Sequence, residues 1–181
     1  MKNKLTKMYN NFMERHNNSN VTAFLKGINF QRTFPLDIIV LAEKMGGWKI
    51  FYMAENSSFF NRAEAAINTE DKILLLHPRF NNGTKESYLS GRYILCKAIA
   101  HIALKHIPSS KGWIEPKKEF RDKIDEDLNP CTAAFAYELL LPKDEFLEQW
   151  QKLGENVSLL SKYFGASQQH IVERKNFLSG T

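Results

Sequence analysis

A chain of 181 residues, 43% of them hydrophobic, has the size of one domain with its own core, or of one domain with a small appendage. No apolar run approaches the roughly 18 residues of a membrane span, and the start, Met1-Lys-Asn-Lys-Leu-Thr-Lys, lacks the apolar stretch of a signal peptide. Cys96 and Cys131 are too few and too far apart for a disulfide scaffold, which reads as a cytoplasmic protein; the net charge of +5 permits a nucleic-acid or acidic partner without pointing to one.

Residues 1–20 form a polar segment in which Leu5 to Met13 suggests a short helix and His16 to Asn20 a loop. A clear helix is expected over 35–46, opened by Pro35, carrying Ile38, Ile39, Leu41, Ala42 and Met45 on its apolar face, and ended by Gly46-Gly47. Strands are expected at 48–53, 63–68 and 72–76, with a loop at Asn81-Asn82-Gly83. A long helix follows over 85–106, where Tyr88, Leu95, Ile99, Ile102 and Ala103 recur at helical spacing until Pro108. Residues 107–124 read as a charged connector containing Trp113 and Pro116. Helices are then expected over 130–140, 142–153, 156–164 and 168–178.

The long helix contains Arg92-Tyr-Ile-Leu-Cys-Lys-Ala-Ile-Ala-His101. A zinc-peptidase helix carries His-Glu-x-x-His, two histidines one turn apart as ligands and a glutamate between them as general base. Here the pentad is Lys97-Ala98-Ile99-Ala100-His101: only the second histidine remains.

Together with Pro35-Leu-Asp-Ile-Ile-Val-Leu-Ala-Glu-Lys-Met-Gly46, Phe135-Ala-Tyr-Glu-Leu-Leu-Leu-Pro142 and the closing stretch 159–174, this segment resembles the ImmA/IrrE family of metallopeptidase-like proteins, over about residues 30–178. The resemblance implies an α+β, zincin-like (gluzincin-type) fold: a small three-stranded sheet on long core helices, with a C-terminal helical cluster like a helix-turn-helix. It implies a polar segment 1–20, a zincin-like domain 21–146 and a C-terminal helical subdomain 147–181.

Carried over by position, Lys97 stands for the first histidine ligand, Ala98 for the catalytic glutamate, and Cys131 for the third ligand, a glutamate four residues before Phe135-Ala136. His101 and Cys131 remain as zinc donors, joined by Glu126 or Asp127 if the following helix is longer than expected. Two donors alone hold zinc weakly, and no glutamate is left to activate water. No cofactor is therefore expected, zinc being the alternative. His106, five positions past His101, is expected on a different face of the helix. Lys97 shares a face with His101 and reads either as a solvated lysine in an open groove or as a cation in the metal's volume, opposing zinc. His101 alone reads equally well as a buried histidine bonded to a carbonyl, and Cys131 as an apolar filler. His77, His106 and His170 read as loop or surface residues.

In the last two helices, Gln168, Gln169, His170, Arg174 and Lys175 are placed where a helix-turn-helix touches DNA, though the same helices serve equally as packing elements. The resemblance implies a catalytically inactive regulator that binds a protein, a helix-turn-helix repressor of a phage or other mobile element, in the manner of an antirepressor. The alternatives are an active zinc peptidase using His101, Cys131 and an acidic residue, and a DNA-binding regulator using the C-terminal helices. No membrane partner is expected.

Overall fold

The computed structural model describes residues 20–53, 63–106, 113–116 and 125–179. The expected helix at 5–13, the loop up to Ser19, and the side chains of Glu126 and Asp127 lie outside what is described. The element order is α1 (Asn20–Gly27), α2 (Ile38–Lys44), β1 (Lys49–Tyr52), β2 (Ala63–Asn68), β3 (Ile73–Leu76), α3 (Arg79–Asn82), α4 (Lys85–Ala103), β4 (Trp113–Pro116), α5 (Asp125–Leu140), α6 (Lys143–Lys152), α7 (Val157–Phe164) and α8 (Gln168–Ser179).

The mixed α+β architecture holds, with a difference in the sheet. Four strands pair in the order β1-β3-β2-β4, β1 parallel to β3 and the other pairs antiparallel. The fourth strand lies in the stretch expected as a charged connector. It pairs with β2 from Ala63↔Pro116 to Ile67↔Trp113, through an irregularity at Ala63/Ala65. A four-residue strand has too short a pattern to read before its partner is known.

Helix starts follow local chemistry. Asp37 caps α2, its carboxylate accepting from Val40 N–H at 3.0 Å, so the helix begins after Pro35 rather than at it. Thr84 and Asn156 cap α4 and α7 in the same way. The expected loop at Asn81-Asn82 is a single helical turn, α3, whose Phe80 is buried. Helix α5 begins five residues earlier than expected, with Pro130 inside it. Helix α1, which had no expectation, packs on α5 through the Phe24 and Phe135 rings, 5.7 Å apart.

One core joins these layers. Ile67, Leu74 and Leu76 of the sheet share a buried cluster with Ile94, Ala98 and Ile99 of α4 and with Phe135, Leu139 and Leu140 of α5. Gly91 is required where α4 crosses α3, because an added Cβ would lie 2.7 Å from Phe80 Cβ. Arg92 ties the start of α2 to the end of α7: Nε donates to Gly165 O and Nη2 to Leu36 O, each at 2.6 Å. Among the described residues, no helix is long and apolar enough to cross a membrane.

Candidate functional site

Helix α4 carries the candidate site on the face that meets α5 and α8. Tyr93, Lys97 and His101, spaced four apart, stand one above another on that face. Lys97 and His101 are each only 3% exposed, which removes the solvated-lysine reading. His101 is held far below the usual histidine range, at about 3, first by burial and then by the charges of Lys97 and His106. It is a neutral imidazole at neutral pH.

His106 corrects an expectation. An unbroken helix to 106 would separate it from His101. Instead α4 ends at Ala103, and Lys105 takes the left-handed conformation, with φ 55°. His106 N–H donates to His101 O at 3.0 Å and Lys105 N–H to Ile102 O at 3.1 Å, the paired bonds of a Schellman turn. That turn folds the chain back, and the two imidazole rings meet edge to face, centroids 5.5 Å apart.

His170 was also read as a surface residue, and it too belongs here. Its ring lies 4.2 Å from that of Tyr93, with Nδ1 2.7 Å from the Ser167 hydroxyl. Its pKa is lowered, first by burial; Glu173 and Glu86 oppose that, while Lys97 adds to it. Beside it, the Tyr137 hydroxyl donates to Glu173 Oε2 at 2.6 Å, and the rings of Tyr137 and Tyr93 are 4.8 Å apart. Burial, the neighbouring Tyr93 and Glu173 together push the Tyr137 phenol well above its ordinary value. A sequence signal for this seam existed: Tyr93 shares the Lys97 face, and Ser167 sits three before His170 as a helix cap.

The donor chemistry of this seam does not fit a zinc ion. The position of the first ligand holds an amine, Ala98 offers only a methyl, and burial raises the Cys131 thiol, which disfavours the thiolate a metal needs. Cys96, fully buried, is pushed up to about 12. Of the positions carried over from the zinc motif, His101 alone keeps an imidazole. Among the described residues no group of three or more His, Cys, Asp or Glu is arranged to hold a metal.

The structure separates the DNA candidates. Gln168 and Gln169 are exposed, but Arg174 is 0% exposed: Nε donates to Leu141 O at 3.0 Å and Nη2 pairs with Glu138 Oε2 at 2.6 Å. Lys175 lies over the Trp150 ring, 4.9 Å from its centroid. Arg174 is thus a clamp between α5 and α8 and is not offered to a phosphate.

The family model described as the IrrE N-terminal-like domain, Peptidase M78, matches residues 61–176, more than half of the chain. The chain belongs to this family. Its sheet, its long helix and α5 make up the zincin-like fold of an IrrE-like domain, with Lys97, Ala98 and His101 on the long helix. No curated protein sequence matches it. The solved structure of a Mycobacterium tuberculosis transcriptional regulator is similar over 94% of this chain and 52% of that one, with a TM-score of 0.59 and 17% identity. The IrrE-like chain spans about half the length of that structure, and the likeness is one of fold.

Proposed function

We propose that this IrrE-like chain is a non-catalytic regulator that acts by binding a protein, a helix-turn-helix transcriptional repressor of a phage or other mobile element, so that repression is relieved without cleavage. The observation that carries the reading is the pair Lys97 and Ala98. A buried amine stands at a metal-ligand position, and a methyl stands where a carboxylate would activate water. Metal-assisted hydrolysis needs both a held ion and a base, so changing these two positions takes away both functions at once. The regulator-like fold supports the same reading, and binding alone is enough to block a repressor's DNA contact or dimerisation.

The test has two parts. Protein purified without a histidine tag is expected to hold far less than one zinc per chain by mass spectrometry. It is also expected to co-purify with a repressor encoded alongside it and to restore reporter transcription with that repressor intact. The double change Lys97→His with Ala98→Glu is expected to restore no cleavage, because Cys131 still stands at the third-ligand position. One tightly held zinc per chain and chelator-sensitive cleavage of the repressor would overturn the reading.

A further inference from the structure

Among the described residues β1 is an edge strand of the sheet, and its main-chain pattern states what would extend it. In a parallel ladder, alternate residues of a strand turn both main-chain groups toward the same neighbour. Lys49 N–H donates to Lys72 O at 2.9 Å and Met53 N–H to Leu76 O at 3.2 Å, so Lys49, Phe51 and Met53 face β3. Ile50 and Tyr52 therefore turn their N–H and C=O groups outward. Among the described residues none of these groups has a main-chain partner beyond β1.

This edge lies along a groove of about 590 Å³ whose other walls are the start of α2 and the N-terminal half of α4. Ile39, Phe51, Tyr52 and Tyr88 line it and remain between 38% and 64% exposed, much for large apolar side chains. The face of α4 involved, Tyr88, Arg92 and Leu95, lies about half a helical turn away from Tyr93, Lys97 and His101. The groove is therefore separate from the degenerate peptidase site.

We propose that the outer edge of β1 takes an extended, mainly apolar segment of a separate protein as an added strand, seated between α2 and α4. Donors and acceptors two residues apart along a strand are matched by another extended polypeptide, which small polar molecules do not reproduce. The length of β1, roughly 13 Å, and the volume of the groove suit about four residues of strand. The inference rests on the reading of the chain as a protein-binding regulator and gives that binding a place.

The experiment uses the full chain, isotopically labelled, with pooled acetylated and amidated hexapeptides that alternate valine, isoleucine or leucine with threonine or lysine. Binding is expected to slow amide exchange at Ile50 and Tyr52 at least tenfold and to leave Phe51, already bonded to β3, nearly unchanged. Tyr52→Pro removes one outward donor and spares the ladder to β3, so affinity is expected to fall at least tenfold. Ile39→Asp, which charges the opposite wall without touching the strand, is expected to do the same. No binding up to about 1 mM, wild-type affinity in either variant, or protection at Tyr93, Lys97 and His101 instead would each overturn the proposal. A self-associated dimer that the peptides do not displace would overturn it as well. If peptides dock at β1 while no repressor is bound, the proposed function fails and this inference stands. If a repressor binds through the Lys97 face, the reverse holds.

Discussion

Two faces of one helix divide this molecule. Toward α5 and α8, α4 presents Tyr93, Lys97 and His101, a buried polar seam that Tyr137 and the half-buried His170 carry out to the exposed Glu173. Toward α2 and β1 it presents Tyr88, Arg92 and Leu95, the wall of an open apolar groove. The seam carries polar groups where water is excluded, so each must be held by its neighbours and each is costly to change. The groove carries apolar groups where water is admitted: Ile39, Phe51, Tyr52 and Tyr88 stay partly exposed and are free to serve binding, while Leu36, Ile38, Trp48 and Leu95 beneath them belong to the core. The first face carries Lys97, one of the two residues on which the proposed function rests, and the second carries an open surface.

The sharpest break in the comparison is Arg174→Ala, which takes the guanidinium from between Leu141 O and Glu138 at a fully buried position. Removing one partner of a buried pair costs about 3–5 kcal/mol, measurable by urea unfolding. A loss below about 1 kcal/mol would mean the α5–α8 clamp does not stabilise the fold.

The next effect is pH-dependent. The folded His101 lies near 3, below the ordinary histidine value near 6.5. The unfolded chain therefore binds the extra proton between these limits. The stability His101 contributes is fully present above about pH 6.5 and is lost as pH falls toward 3, at up to about 1.4 kcal/mol per unit. The stability gap between wild type and His101→Asn is expected to close across that window. A His101 ring titrating near 6.5 by NMR would remove the basis for it.

Arg92 qualifies the division, since it lines the groove while its head group ties α2 to α7. Arg92→Lys keeps the charge but not both bonds, and a loss of about 1–3 kcal/mol is expected in the same unfolding assay. The smallest effect is expected at Tyr88→Ser on the groove wall, within about 0.5 kcal/mol of wild type. A large loss there would show that Tyr88 supports the fold after all.

Much of the fold was legible in the chain. The helical spacing of α4, the Gly46-Gly47 stop, the apolar runs of β2 and β3, and the segment Phe135 to Pro142 gave the element order and the family. The shared face of Lys97 and His101 was legible too, because helical spacing is local and the two residues share a face wherever that helix lies. These features are set by contacts a few residues apart, which the order of the residues states directly.

What only the tertiary structure decided depends on groups far apart in the chain. Burial of Lys97 and Arg174 follows from the docking of α5 and α8, which no periodicity in their own helices announces. His106 joins His101 because Lys105 takes a left-handed turn, a conformation glycine would have signalled and lysine did not. Strand β4 exists because β2 offers it an edge. Among the described residues β1 pairs on one side alone: the sequence marks a strand, and only the sheet order determines which of its edges is paired.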